Sequence, residues 1–72
     1  MSSSGIVKDI YGTPIEGADV YLNNISVGKT DSSGKYYIEV LKEGVLYTLT
    51  AKYSKLNFKV NMLTTSFLLI TF

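Results

Sequence analysis

The sequence predicts an all-β protein that folds as one small sandwich or barrel. Several short segments alternate apolar and polar residues with a period of two, and no segment sustains a helical period. Turn-forming Gly, Asn, Asp and Pro interrupt these segments at roughly eight- to twelve-residue intervals, the spacing typical of short antiparallel strands. The chain has 72 residues, which leaves room for a single domain.

Seven strands are predicted. Their expected bounds are residues 5–9, 18–22, 26–30, 36–40, 45–53, 58–62 and 66–72. Residues 1–4, with three consecutive serines, are expected to form a flexible N-terminal tail. Residues 5–72 then form the single β-domain.

Turn residues separate the first four strands. Gly12 can take a positive φ and Pro14 fixes its own φ, so the chain is expected to reverse after the first strand. Asn23 and Asn24 mark a second turn. In the turn over residues 31–34, the Asp31 carboxylate can accept backbone N–H groups that follow it in the chain.

The alternation predicts which side chains face the core in the second strand and in the fourth to sixth strands. They are Ala18, Val20, Leu22, Tyr36, Ile38, Val40, Val45, Tyr47, Leu49, Ala51, Tyr53, Phe58, Val60 and Met62. Tyr21 and Tyr37 fall on the outward phase of their strands, where an aromatic ring is available to a protein or a sugar.

The last strand is apolar on both faces, unlike the strands before it. Leu68, Ile70 and Phe72 are expected to face the core, which places Phe67 and Leu69 on the opposite side beside Thr71. An antiparallel sheet normally has one face exposed to solvent, so the apolar residues on the second side of this strand need an explanation. Either a loop covers it, or it is a hydrophobic contact surface.

Composition removes several functional classes. Without His or Cys, the chain holds no imidazole base, thiol nucleophile, Cys/His metal site or disulfide. The acidic residues lie mostly in turns or on outward positions, where solvated charges are expected. We therefore predict no catalytic residue, no metal ligand and no cofactor site, and the protein is not expected to be an enzyme.

Charge and hydropathy also argue against nucleic acid and membrane partners. The net charge is +1 and Arg is absent, so neither a strong electrostatic field nor bidentate phosphate contacts are expected. Lys52, Lys55 and Lys59 cluster near Tyr53 and Phe58, but both aromatics fit the inward phase. The longest apolar stretch is far shorter than the roughly 20 residues of a membrane helix.

Two motifs carry a resemblance to a known family. Asp9, Gly12, Pro14, Gly17, Ala18 and Val20 fit the pattern D-x-x-G-x-P-x-x-G-A-x-V. Thr30, Asp31, Gly34, Tyr36 and Ile38 fit T-D-x-x-G-x-[FY]-x-[IL]. With Gly5 ahead of them, these residues resemble the carboxypeptidase-regulatory-like domain. The match is close over residues 5–40, looser over 47–53, and limited to strand character in the last fifteen residues.

The resemblance implies a transthyretin-like or immunoglobulin-like fold, a seven-stranded antiparallel Greek-key β-sandwich. The resemblance also implies a non-catalytic accessory module. The residues agree with this expectation, because every matching residue is predicted to be a turn or core residue. The sequence begins with Met and no secretory signal is recognised in it, so we expect a complete small gene product whose domain stands alone. We therefore expect a virion protein assembled in the host cytoplasm, an auxiliary or decoration protein of a phage capsid.

The partner is expected to be a protein, either a capsid protein or a second copy of the chain. The predicted partner-binding residues are Phe67, Leu69, Thr71, Tyr21 and Tyr37. The alternative is an excised module of a bacterial surface receptor or adhesin, at the cell surface or in the periplasm, that binds glycan or protein.

Overall fold

A computed structural model describes residues 2–39, 41–63 and 67–72. The described residues form seven strands and no helix, so the all-β prediction is confirmed. The strands are β1 (Ser3–Lys8), β2 (Asp19–Leu22), β3 (Ile25–Lys29), β4 (Lys35–Ile38), β5 (Leu46–Tyr53), β6 (Leu56–Leu63) and β7 (Phe67–Thr71).

The strands form two sheets that contribute to one hydrophobic core. The three-stranded sheet has the order β4-β1-β7, and the four-stranded sheet has the order β3-β2-β5-β6. Val7, Ile38 and Ile70 of the first sheet belong to the same buried cluster as Val20 and Leu49 of the second. Burial of these apolar side chains is the main favourable term that holds the two sheets together.

One pairing corrects the prediction of an antiparallel architecture. β1 lies in the centre of its sheet, antiparallel to β4 and parallel to β7. A hairpin can only join antiparallel neighbours, and β7 instead follows β6, which belongs to the other sheet. Because β7 returns by a crossover between sheets, its direction is not set by a local turn, and sequence alternation could not reveal it.

The N-terminal boundary also differs from the prediction. β1 begins at Ser3, so Ser3 and Ser4 belong to the sheet rather than to the expected tail over residues 1–4. Ser3 pairs with Ile38, and Ser4 lies between Tyr37 and Phe67. Of the other predicted positions, Met1 in the tail, inward-facing Val40 and Ser66 of the last strand lie outside the described residues.

The inward phase is confirmed for most described positions. Val20, Ile38, Leu49, Ala51 and Ile70 are buried. Tyr53 and Val45 are exceptions, since Tyr53 is 42% exposed and Val45 also reaches solvent. Tyr53 is the last residue of the eight-residue strand β5, which is longer than any strand of the opposite sheet. It pairs with Leu56 at the start of β6, so it lies at the end of the four-stranded sheet.

Candidate interaction surface

The predicted contact residues of the last strand lie on the solvent side of the three-stranded sheet. We call this surface the outer face. It consists of the residues of β1, β4 and β7 that alternate with buried positions: Ser4, Ile6, Lys8, Lys35, Tyr37, Phe67, Leu69 and Thr71.

Strand register arranges these residues in three cross-strand rows. Tyr37, Ser4 and Phe67 form the first row. Lys35, Ile6 and Leu69 form the second, and Lys8 with Thr71 forms the third. Neighbouring strands lie about 4.8 Å apart, so the Cα atoms of Tyr37 and Phe67 are separated by about 10 Å, with the small Ser4 between them.

The outer face exposes three large apolar or aromatic side chains. Tyr37 is 59% exposed, Phe67 is 52% exposed and Leu69 is 51% exposed. Ile6 lies between them and is partly buried. About half of each of the Phe67 and Leu69 side chains is thus open to solvent.

A concavity lies where the first row meets the start of β4. Its volume is about 650 Å³, and its wall includes Tyr37, Phe67, Ile6, Lys35 and Lys29. Asp31 also contributes to the wall. The wall is amphipathic, because it combines aromatic and aliphatic residues with lysines and an aspartate.

A hydrogen bond beneath β1 fixes the backbone that carries the outer face. The hydroxyl of Tyr36 on β4 donates to the carbonyl oxygen of Leu68 on β7 at 3.1 Å. Gly5 lies between them, and a Cβ atom at Gly5 would overlap both the Leu68 carbonyl oxygen and the Tyr36 ring. Glycine is thus required here to let the tyrosine side chain pass under the central strand. Burial raises the pKa of Tyr36 to about 12.

The turn before β4 positions Lys35. One carboxylate oxygen of Asp31 accepts the backbone N–H groups of Ser33 at 2.8 Å and Lys35 at 3.0 Å. The hydrogen bond from the Lys35 backbone, followed by that from Ser33, lowers the pKa of Asp31 below its usual value. Gly34 closes the turn with φ of +73°. The turn predicted from Asp31 and Gly34 is confirmed.

Tyr21 lies apart from the other four predicted contact residues. It belongs to β2 in the four-stranded sheet, whereas Tyr37, Phe67, Leu69 and Thr71 share the outer face. The Lys52 ammonium lies 5.3 Å from the centroid of the Tyr21 ring, within the range of a cation–π contact. Tyr21 therefore already has an intramolecular neighbour on its ring.

Sequence reasoning missed Ile6 and Lys35 as members of the surface. The signal was present for Ile6, because Gly5 and Val7 are inward positions and the residue between them must point outward. Nothing in the sequence places Ile6 beside Leu69, since that contact depends on the parallel pairing of β1 with β7.

In residues 2–39, 41–63 and 67–72, no group of three or more acidic side chains could hold a metal ion. The same ranges contain no helix with the length and apolar character needed to cross a membrane. Comparison with protein-family models and with curated proteins finds no match to this chain.

Proposed function

We propose that this protein is a non-catalytic structural and interaction protein that docks on a larger assembly through its outer face. In this proposal the two sheets form the seven-stranded Greek-key sandwich that the family resemblance implies. The observation that carries the proposal is the alignment of exposed Tyr37, Phe67 and Leu69 around Ile6 on one side of a three-stranded sheet.

The chemistry of the surface fits a protein partner. Exposed apolar side chains with a polar rim are typical of protein contact sites. Lys8, Lys35 and Thr71 form such a rim here. About half of Phe67 and of Leu69 is already covered. Burying the remainder of each side chain would contribute about 1–1.5 kcal/mol.

We propose a phage capsid as the assembly and a virion as the location. The protein would then be an auxiliary protein that decorates the capsid surface. The support is analogy, because small immunoglobulin-like sandwiches recur as capsid decoration proteins and require only a rigid core and a docking face. Fold alone does not select this role, so the assignment depends on a binding experiment.

The experiment compares binding of purified variants to capsids that lack the protein. Phe67→Ala and Leu69→Glu should each weaken binding, by about 10-fold for Phe67→Ala and by more for Leu69→Glu, which would also bury a charge. The matched control is Leu63→Glu, since Leu63 is 60% exposed on the other sheet. Circular dichroism should show that all three variants stay folded. Unchanged binding by both outer-face variants would remove the outer face as the docking site.

The concavity favours a second candidate, an extracellular receptor or adhesin module. Tyr37 and Phe67 flank a hollow whose wall also holds Lys35, and aromatic rings beside polar groups suit a sugar ring. In that role the protein would act at a bacterial surface or in the periplasm. Glycan-array binding that is lost in Tyr37→Ala and Lys35→Ala, with no binding to capsids, would favour this candidate over the first.

A further inference from the structure

In the described part of the chain, the exposed edge strand β7 lacks the charged side chains that the other edge strands carry. β4 carries Lys35, β6 carries Lys59, and β3 carries Lys29 and pairs across a register shift. Charges and irregularities of this kind discourage edge-to-edge pairing. β7 has neither charge nor proline, and its pairing with β1 is regular.

Leu69 and Thr71 of β7 direct their main-chain groups away from β1. The backbone N–H of Phe72 donates to the Lys8 carbonyl at 2.9 Å, so Phe72 faces β1. Main-chain groups alternate in direction along a strand, so Ile70 also faces β1, while Leu69 and Thr71 face the open edge. These two residues thus present two N–H donors and two C=O acceptors in one line.

We propose that β7 pairs antiparallel with β7 of a second copy of this chain. A two-fold axis beside Ile70 places Leu69 of each copy opposite Thr71 of the other. Each such pair exchanges two N–H···O=C bonds, which gives four bonds across the interface. The two three-stranded sheets then join into one six-stranded sheet.

The strand chemistry favours a second copy as the occupant. The main-chain groups are complementary to themselves about the two-fold axis, and a symmetric dimer is the commonest closed assembly. β7 carries no charged side chain, so two copies of this strand can pair without charge repulsion between them. In this dimer the third row of one copy lies in line with the second row of the other. The resulting continuous row contains Lys8 and Thr71 of one copy, followed by Leu69 and Ile6 of the second copy.

This inference goes beyond the proposed docking function, because it concerns the edge of the sheet and not its outer face. Pairing leaves Tyr37, Phe67 and Ile6 uncovered and brings the two outer faces side by side. The dimer is therefore compatible with docking but does not require it.

The test is the molar mass of the purified protein by sedimentation velocity over a concentration series. Wild-type protein should approach twice the 8.0 kDa monomer mass. Leu69→Pro and Thr71→Pro each remove edge N–H donors without removing a bond to β1, and should raise the dimer dissociation constant about 30-fold or more. Leu69→Lys places a charge at the edge without a proline and should act in the same direction.

The matched control is Lys59→Pro on the edge of the four-stranded sheet. Asn23 donates to the Thr48 carbonyl, so Thr48 faces β2, and alternation turns Lys59 of β6 toward the open edge. Lys59→Pro should stay dimeric, and circular dichroism should show each variant folded. A monomeric wild type at the highest soluble concentration, or dimers that persist in folded Leu69→Lys and Thr71→Pro, would overturn the proposal. Neither result depends on capsid or glycan binding by the outer face.

Discussion

The Tyr36 hydroxyl on β4 is hydrogen-bonded to the Leu68 carbonyl oxygen on β7, although the central strand β1 lies between them. The side chain passes beneath Gly5, the position on β1 where no Cβ stands in its way. One tyrosine thus links both edge strands of the three-stranded sheet. The outer face and the proposed dimer edge both depend on β7, so this link fixes the strand on which each proposal rests.

Gly5→Ala should destabilise the protein more than Gly12→Ala, the same substitution in a turn. The new Cβ would overlap the Leu68 carbonyl oxygen and the Tyr36 ring, and the expected cost is about 3 kcal/mol. Gly12→Ala is the control, because Gly12 has φ of +84° and open space around it, so only backbone strain of about 1 kcal/mol applies. Urea unfolding followed by circular dichroism measures both. Equal losses would show that Gly5 does not separate the strands as described.

Stability should fall at alkaline pH because of Tyr36. Its pKa is about 12 in the folded protein and about 10 in the unfolded chain, so the unfolded state loses its proton first as pH rises. The contribution is complete below pH 10 and is lost as pH rises from about 10 to 12, at a cost of about 2 kcal/mol. Tyr36→Phe should lose the hydrogen bond to Leu68 and flatten this part of the pH profile. A profile identical to wild type in Tyr36→Phe would contradict the assignment.

Thr30→Val should destabilise the protein strongly, although valine and threonine have similar shapes. The Thr30 hydroxyl accepts the Ala18 N–H at 2.9 Å and donates to the Ile15 carbonyl at 2.6 Å, and the residue is buried. Valine leaves both backbone groups without that partner, which should cost about 2–3 kcal/mol. Thr13→Val at an exposed turn should change the unfolding free energy by less than about 0.5 kcal/mol. Thermal unfolding of the two variants separates these outcomes.

Ser3→Ala should stabilise the protein. The Ser3 hydroxyl is buried and has no hydrogen-bond partner among the described residues. Removing an unsatisfied buried hydroxyl is expected to raise the unfolding free energy by about 1 kcal/mol. Ser2→Ala, one residue earlier and exposed, should have no measurable effect. A lower midpoint of urea unfolding for Ser3→Ala would show that the hydroxyl has a stabilising contact.

The sequence alone predicted the strands and the side that most residues face. Alternation placed Val20, Leu49 and Ile70 inward and Phe67 and Leu69 outward, and the structure has them so. This succeeds because a strand's period of two assigns each side chain to a face without reference to its neighbours. The turn at Asp31 was also predictable, since its carboxylate accepts the backbone N–H groups of Ser33 and Lys35, which follow it closely in the chain.

Only the tertiary structure decided which outward residues share a surface. Tyr21 and Tyr37 have the same phase in sequence, yet they lie on different sheets, and Tyr37 joins Phe67 across Ser4. The parallel direction of β7 and the passage of Tyr36 under Gly5 depend on strands more than thirty residues apart. The two-residue period of a strand indicates the face to which a side chain points. It does not indicate which strand lies beside it. Sheet order follows from how the apolar faces of the whole chain bury one another.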